Sequence, residues 1–508
     1  MKGNRFPFKS TEYFVNPVNF KTFALSYQQT TGSWQRKTNQ SQMLFNSLEF
    51  PVFLGLILLL FQVFRKSGDR QILLLFSSLF FYGYWKWSYL VLLIVSSSID
   101  YWAAIQIGKH AENRQKRFFL FCSIAGNLSI LLYFKYGTFL GHTFFFKSGP
   151  LPDWLDVVLP VGISFYTFQA IGYVIDVYRN RLPAEKSYVS FLLFITFFPQ
   201  LVAGPIERAP HLLNQLKKFN ANAPVLWLPG IWLVIRGFAK KLLLADRLGV
   251  YVDAAFNNPS ATTLPQVITS TVFFGFQIYC DFSGYSDIAR GIASFFGVDL
   301  MKNFDLPYLA KSLSEFWRRW HISLSGWFRD YVYFPLGGSK NGTFSTVINL
   351  LVVFGLSGLW HGANWTFLLW GLWHGAGLIG ERFLTQSTNR SSTSASGNSN
   401  RLIQGFTLFW VFTGWFFFRV NSIDDLSHLL LHSEWSFRNF NLFHSASELT
   451  LSVAGILILL ILEIKVSSQR FKIYHQNFWT QSSAILIVIA FLIWFGHFKG
   501  QDFIYFQF

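Results

Sequence analysis

The stretch NGTFSTVINLLVVFGLSGLWHGANWTFLLWGLWHGAGLIG, residues 341–380, contains no Asp, Glu, Lys or Arg. As continuous helix these forty residues would measure about 60 Å, enough for two crossings of a hydrocarbon core about 30 Å thick. The run must therefore contain a turn or a break. Gly355, Gly358 and Gly362 predict that one span ends near Gly358. His361 would then lie at the break and face protein or water, because irregular backbone is tolerated there and not against lipid.

His361 is the first candidate functional residue. An ionisable side chain at membrane depth is costly unless it is paired or lines a wet cavity, so it indicates a functional site. The alternative is a histidine hydrogen-bonded in a seam between helices. His374, thirteen residues later, would lie about 220° around a continuous helix and face elsewhere, so we do not expect it to be catalytic. We expect Asn364 and Trp365 to shape the break.

A second histidine, His321, lies in WRRWHISLSGWFRD, residues 317–330, forty positions before His361. Ser312 and Glu315 fit a capping box, so a helix should begin there. On a continuous helix one face would carry Trp317, His321, Leu324 and Phe328, and another would carry Arg318 and Arg329. The pattern predicts an amphipathic helix near a membrane surface, with its histidine facing inward. Alternatively, His321 only anchors an interfacial helix among tryptophans.

The composition of the whole chain supports a membrane protein. Of 508 residues, 52% are hydrophobic, 20% are aromatic and only 13% are charged, against about 25% charged in soluble domains. The net charge of +17 could suggest nucleic acid, but the basic residues lie mainly in short loops between apolar runs. We therefore predict no nucleic-acid partner. The two cysteines, Cys122 and Cys280, provide neither a disulfide framework nor a metal-ligand spacing, so no metal site is predicted.

Four segments are expected along the chain. Residues 1–42 are polar and aromatic without helical period, and form a tail or an upstream over-extension before a natural start at Met43. Residues 43–384 form the membrane core with the catalytic motifs. Residues 385–401 are a Ser-rich flexible loop, and residues 402–508 carry the last transmembrane helices.

The apolar runs predict an all-α, polytopic integral membrane protein with about 11 crossings plus broken, re-entrant and interfacial helices. Basic loops at Arg65–Arg70, Lys109–Arg117 and Arg179–Lys186 alternate with less charged ones. By the positive-inside rule, these three loops lie in the cytoplasm and the segment before the first span lies outside.

Two further breaks carry information. FFPQLVAGPIER, residues 197–208, predicts a broken or re-entrant segment because Pro199, Gly204 and Pro205 interrupt an apolar run. YCDFSGYSDIARG, residues 279–291, places polar side chains between apolar flanks. We expect Asp281 and Asp287 to form structural ion pairs with Arg290 or another arginine rather than to carry protons. The candidate channel-lining or structural residues here are Asp281, Ser283, Tyr285 and Asp287.

These motifs resemble a known family, the membrane-bound O-acyltransferases (MBOAT), and within it the branch that contains the membrane subunit of bacterial alginate O-acetyltransferase (AlgI-like). The matching stretches are FFPQLVAGPIER, YCDFSGYSDIARG, FWRRWHISLSGWFRDYVYFPLGG, GLWHGANWTFLLWGLWHG and the terminal FIYFQF. The resemblance covers the chain from about Met43 to its end. It implies that His361 is the catalytic histidine and His321 the second active-site position, occupied by Asn or Asp in other branches. It also implies a ring of helices around a thin centre, with a tunnel from a cytoplasmic donor entrance to an outer acceptor side.

The chemistry of acyl transfer suits these residues. A base must take the hydroxyl proton and a donor must steady the oxyanion; we assign His361 to the first task and His321 to the second, or to orienting the acceptor. The resemblance implies acetyl-CoA as donor, with no permanently bound cofactor. Arg318, Arg319 and Arg329 could meet its phosphates, although lipid headgroups are an equal alternative.

The expected function is therefore O-acetylation of an exported or cell-surface polysaccharide, with transfer of the acetyl group across the bacterial inner membrane. The resemblance implies a periplasmic or membrane-tethered SGNH-type acyltransferase as partner, because the chain has no GxSxG motif and no soluble domain. One alternative is D-alanyl or other acyl transfer from a carrier protein to a cell-envelope polymer. A transporter is the alternative of another class, but we find no repeat of two halves.

Overall fold

The computed structural model describes residues 43–145, 151–155, 157–219, 227–387, 397–436, 446–467, 478–498 and 503–504. The predicted tail 1–42 lies outside these residues, as do 388–396 of the predicted Ser-rich loop. Helix continues to Ser387 and resumes at Gly397, so the described ends of that loop are helical rather than irregular. The four predicted segment boundaries otherwise stay predictions.

The described residues form helices and no strands, which confirms the all-α class. The first helices are α1 Glu49–Val63, α2 Ser67–Trp85, α3 Trp87–Lys109, α4 Asn113–Leu131, α5 Gly137–Leu140, α6 Ile163–Tyr178, α7 Tyr188–Thr196, α8 Phe198–Leu201, α9 Ala209–Lys217 and α10 Trp227–Phe238. The later ones are α11 Asp246–Phe256, α12 Leu264–Phe295, α13 Leu313–Arg319, α14 Ile322–Phe328, α15 Gly342–His361, α16 Trp365–Ser387, α17 Gly397–Arg419, α18 Ile423–Leu431, α19 Ala446–Ser467 and α20 Phe478–Phe495. Four π-helical turns, at Leu132–Tyr136, Gly141–Phe145, Ala239–Ala245 and Arg329–Tyr333, continue α4, α5, α10 and α14, and 3₁₀ turns lie at Pro259–Ala261 and Pro307–Leu309.

Four described helical segments are long and apolar enough to cross a membrane: Trp87–Lys109, Asn113–Phe145, Gly342–His361 and Ser447–Lys465. Glu49–Val63 and Ser482–Phe495 are shorter apolar helices. The predicted count of about 11 crossings is therefore not confirmed. Helix α12 is long but is not among the four: it carries three charged side chains, and two of them, Asp281 and Asp287, are buried inside the protein, where neighbouring helices supply partners that lipid cannot.

The helices form a buried centre surrounded by outer helices. Nearly every residue of α6 and α12 is buried. The outer helices α1, α3, α19 and α20 expose apolar side chains, which include Val52, Leu56, Val91, Val95, Leu457, Ile461, Leu486 and Trp494. Because water would penalise so much exposed apolar surface, these faces are suited to lipid, and the chain is a multi-pass membrane protein.

The three basic loops lie at one end of the bundle. Ser67 and Gln71 donate to the carbonyl oxygen of Lys217 at 3.1 and 3.2 Å, and the ammonium of Lys217 pairs with Glu185 at 2.7 Å. Gly108 faces Ala184. This common end is what the positive-inside pattern requires, while the side of the membrane stays a prediction.

Two predicted breaks are present. The segment 197–208 begins with the four-residue helix α8 and then continues as buried irregular backbone to the start of α9. The turn between α15 and α16 comes at Gly362–Asn364, a few residues after the predicted end of the span at Gly358.

Candidate active site

His321 lies where a helix is interrupted, not on a continuous one. Ser312 caps α13 by accepting from the amide of Glu315 at 3.1 Å, as predicted, but the Glu315 carboxylate accepts from Lys311 rather than from Ser312. Helix α13 then ends at Arg319, and His321 adopts a left-handed conformation with φ of 42° before α14 begins. The predicted single face from Trp317 to Phe328 is therefore wrong. The interruption turns the imidazole into the interior, where it is fully buried.

Backbone and side-chain hydrogen bonds hold this unfavourable conformation. The amide of Asp305 donates to Arg319 at 2.9 Å, and the amide of Ile322 donates to Asn303 at 2.9 Å. The side chain of Asn303 accepts from the Ser323 hydroxyl at 2.7 Å. A non-glycine residue at positive φ is strained and persists only where its surroundings fix it, and such residues concentrate at functional sites.

His361 is the last residue of α15, and Gly362 after it is extended. The turn is closed by Asn364, which accepts from the amide of Thr366 at 3.2 Å and donates to the carbonyl of Asn421 at 2.7 Å. Asn364 therefore connects the turn to Asn421 through its side chain. Trp365, the first residue of α16, is half-exposed and packs on Phe139 with ring centroids 5.5 Å apart.

Two of the glycines near His361 serve helix packing rather than the break. A Cβ atom on Gly358 would overlap the carbonyl oxygen of Phe367, and one on Gly371 would overlap that of Phe354. Only glycine permits α15 and α16 to cross this closely. The crossing fixes where α15 ends, and with it the position of His361.

The two predicted histidines face each other. Their ring centroids are 6.3 Å apart, and the exposed fractions are 0% for His321 and 4% for His361. We call these residues the histidine pair. The described rings around it belong to Phe165, Phe282, Trp360, Trp370 and Phe418, each with its centroid between 4.7 and 6.5 Å from one of the two imidazoles. These rings limit the access of water to the histidine pair. A substrate can reach the pair where a cleft enters.

Such a cleft reaches His361. Its walls are the segment Leu159–Phe165, Val202, Trp360 and Lys135. A second, smaller cleft near Met43 and Tyr82 shares Val161 and Val202 with it. Lys135 was missed in the sequence, although a lysine inside the apolar stretch LSILLYFKYGTFL, residues 128–140, was the signal that could have found it.

His374 lies behind the pair. The ring of Trp370 separates it from His361, at centroid distances of 5.0 Å to His361 and 5.2 Å to His374. Its two nitrogens have no hydrogen-bond partner among the described residues, and Trp317 packs on it at 5.0 Å. The helix is not continuous from His361 to His374, so the predicted angle does not apply. His374 packs in an aromatic layer outside the pair.

The acidic residues of α12 belong to ion pairs. Asp287 accepts from Arg236 at 2.6 and 3.0 Å and from Lys240 at 2.8 Å, so the predicted partner Arg290 is wrong and the alternative of another arginine is correct. Arg290 instead donates to the carbonyl of Leu300. Lys241 pairs with Asp246 at 2.8 Å and with Asp281 at 2.6 Å. These ion pairs and those of Asp287 form what we call the charged cluster: Arg236, Lys240, Lys241, Asp246, Asp281 and Asp287.

The other predicted polar residues of α12 have no described contact with the histidine pair. Asp281 accepts from the amide of Ile504 at 2.6 Å, and its cationic partner is Lys241, so the predicted arginine partner is wrong for this residue. Tyr285 packs between Phe45 and Phe503 at 4.8 and 4.7 Å. Ser283 is buried. Helix α12 reaches the histidine pair through Phe282, whose ring lies 4.7 Å from that of His321.

The three arginines proposed for phosphate do not share one face. Arg319 pairs with Glu315 at 2.7 Å and Arg329 with Asp330 at 2.9 Å, whereas Arg318 is exposed on α13. The break at Trp320 and His321 lies between Arg318 and Arg329, so these two residues, predicted to align, are not on one continuous helix.

Comparison with known proteins shows which family this chain resembles. The profile of the membrane-bound O-acyltransferase family matches residues 180–423, which include both members of the pair. A peptidoglycan O-acetyltransferase of Helicobacter pylori is 31% identical over 92% of this chain and 98% of its own length. The chain belongs to the membrane-bound O-acyltransferase family. It is therefore an O-acyltransferase.

Other family members are also similar. A probable alginate O-acetylase AlgI of Pseudomonas putida is 38% identical over 75% of this chain and 77% of its own length. A teichoic acid D-alanyltransferase of Bacillus subtilis is 27% identical over 63% of this chain and 82% of its own. The family thus contains relatives that carry different acyl groups.

Proposed function

We propose that this O-acyltransferase moves an acetyl group from cytoplasmic acetyl-CoA across the bacterial cytoplasmic membrane for O-acetylation of an exported or cell-surface polysaccharide. The observation that carries the proposal is the buried histidine pair, 6.3 Å apart between ring centroids, at the end of a cleft. The names of the relatives with the higher identities, an alginate O-acetylase and a peptidoglycan O-acetyltransferase, favour acetyl as the group and a polysaccharide as the final acceptor.

In the proposed reaction His361 is the general base. The acceptor hydroxyl attacks the thioester carbonyl carbon while an imidazole nitrogen of His361 takes its proton. As the C–S bond breaks, that proton passes to the sulfur, so the products are an ester and free CoA thiol. His321, facing His361 across the site, orients the acceptor or donates a hydrogen bond to the oxyanion.

The aromatic surroundings support this assignment physically. Charge that develops on the thioester oxygen is stabilised more by a fixed donor in a site with little water than by the same donor in water. Both imidazoles are held by packing against rings, so they need little reorganisation during the reaction.

The donor is proposed to approach from the end that carries the basic loops. Arg318, which is exposed on α13, could meet a CoA phosphate or a lipid headgroup. Because the chain has no GxSxG motif, we propose that an SGNH-type acyltransferase on the outer side receives the acetyl group and places it on sugar.

The test follows acetyl-labelled acetyl-CoA in membrane vesicles that contain this chain and its SGNH-type partner. Inverted vesicles, which expose the cytoplasmic face, should transfer label to partner or polysaccharide, whereas right-side-out vesicles should not, because acetyl-CoA does not cross the bilayer. The His361→Ala variant should transfer none. Equal transfer by that variant would show that His361 is not the base.

A second candidate is acyl transfer from a carrier protein, favoured by the similarity to a teichoic acid D-alanyltransferase. Wild-type vesicles that transfer no acetyl group from acetyl-CoA, but do transfer the acyl group of a carrier-linked thioester, would establish the carrier-protein alternative. Movement of a solute with no covalent product would instead indicate the transporter alternative.

A further inference from the structure

Lys135 is a charged residue inside a membrane span. It lies in the π-helical turn Leu132–Tyr136, within the span Asn113–Phe145. Its ammonium donates to the carbonyl oxygens of Trp360 and His361, the latter at 3.2 Å, and to the hydroxyl of Ser164 at 3.4 Å. All three N–H groups are therefore directed at uncharged oxygens, two of them on the helix that ends in His361.

The two backbone oxygens lie at the carboxyl-terminal end of α15. The last carbonyls of a helix have no partner inside it, and together they carry the negative end of the helix dipole. Tyr136 donates its hydroxyl hydrogen to the carbonyl of Leu359 at 2.8 Å, and Lys135 takes the next two. Two neighbouring side chains of one π-helical turn thus cap three consecutive carbonyls. Such turns inside α-helices occur often at functional sites.

The cap acts directly on His361. The residue is the last of α15, so its backbone has no following turn of helix to hold it. Lys135 also lines the cleft that reaches the imidazole, together with Ser164, Phe165 and Trp360. Without the ammonium, the negative end of α15 would face a reaction in which negative charge develops on a carbonyl oxygen, which is the unfavourable pole for that chemistry.

We propose that Lys135 is a positioning residue for His361, and that its charge offsets the negative end of α15 beside the reacting acyl group. The expected effect of Lys135 on kcat rests on the proposed function. Its role in holding the end of α15 does not. It assigns a role in the reaction to a residue of the span Asn113–Phe145, which lies before the segment matched by the family profile.

The kinetic test uses Lys135→Met, which keeps an unbranched side chain and removes the charge and the donors. Removal should lower kcat roughly 30-fold, with KM changed less than about twofold, because the charge acts mainly on the transition state. Lys135→Arg should recover most of kcat. Tyr136→Phe, which removes one neutral hydrogen bond, should cost less than about fivefold.

Lys86→Met is the matched control. Lys86 also lies beside an aromatic ring, 4.5 Å from the ring centroid of Tyr89, but none of its described contacts is with α15 or the histidine pair. It should transfer acetyl groups as wild type does. A Lys135→Met variant with wild-type kcat, or a rise in KM with no fall in kcat, would overturn the kinetic part, the latter by making Lys135 a substrate-binding residue.

Hydrogen–deuterium exchange tests positioning without any acyl donor. In Lys135→Met, amides of residues 358–362 should exchange faster than in wild type, while those of α11 should not change. Unchanged exchange at 358–362 would overturn the positioning role. If wild-type protein transfers no acetyl group, the proposed function fails by itself, and the exchange result still decides the role of Lys135 in holding the end of α15.

Discussion

The histidine pair and the charged cluster both bury ionisable side chains, but they satisfy them differently. In the cluster each carboxylate faces a cation, as Asp287 faces Arg236 and Lys240. The imidazoles of the pair pack against aromatic rings, the nearby Lys135 donates to backbone carbonyls rather than to a carboxylate, and a cleft reaches His361. Opposite charges at hydrogen-bond distance stabilise helices against one another, whereas a site for chemistry keeps room for a reacting group. Burial of ionisable side chains therefore does not by itself distinguish a structural cluster from a functional site. The groups that contact those side chains do.

The largest expected effect is on the pair itself. His361→Ala should lower acetyl transfer by about 10³-fold or more, because it removes the base, and His321→Ala by about 10²-fold. Transfer is measured with labelled acetyl-CoA, per mole of folded protein. His374→Gln is the matched control, since this histidine is equally buried but lies behind Trp370. If His374→Gln lost as much activity as His361→Ala, the separation into two histidine layers would be wrong.

The charged cluster should respond in stability rather than in chemistry. Asp287→Asn leaves two cations without a carboxylate and should lower the free energy of unfolding by about 3 kcal/mol. The lower end of the usual range applies because the Arg236 side chain is 38% exposed and water screens it. Thermal unfolding in detergent measures the loss. Asp299→Asn, at a carboxylate that is 77% exposed, should change stability by less than about 0.5 kcal/mol.

The same variant can break the comparison. If folded Asp287→Asn protein had normal stability but transferred no acetyl groups, the cluster would belong to the chemistry, and partner type would not separate structural from functional polarity in this molecule.

A smaller effect is expected where α15 crosses α16. Gly371→Ala places a methyl group against the carbonyl of Phe354 and should cost about 1–3 kcal/mol of stability by pushing the helices apart. Because that movement shifts the end of α15, acetyl transfer should fall as well. On the same helix, Gly380→Ala meets no atom within 4 Å and should be neutral or slightly stabilising, since alanine favours helix. Equal effects of the two substitutions would show that the crossing does not position His361.

The sequence predicted the parts of this architecture that depend on local chemistry. A charge-free run of forty residues requires a break, and the break lies a few residues after its predicted place. The Ser312 cap and the interruption at Pro199 are also local, and both are present. The family resemblance identified the two histidines that the structure brings together.

The errors arose where long-range contacts decide the conformation. The interruption at His321 depends on hydrogen bonds to Asn303 and Asp305, which no helical period reveals. Asp287 could pair with Arg290 on its own helix, but α10 brings Arg236 closer. Lys135 reaches α15 from more than two hundred residues away in the chain, so only a folded structure shows what it touches.

The smallest expected effect concerns a helix cap that leads to His321. Ser312→Ala removes the side-chain acceptor for the Glu315 amide and should cost about 1 kcal/mol. Ser422→Ala removes an equivalent cap, which accepts from Asp425 at 3.0 Å on α18, and should cost about as much. The two variants should nevertheless differ in acetyl transfer. Helix α13 ends two residues before His321, so fraying at its start loosens the segment that holds the strained histidine, and only Ser312→Ala should lower kcat, by a few-fold. Equal kcat values at equal stability would show that His321 is held entirely by Asn303 and its neighbours.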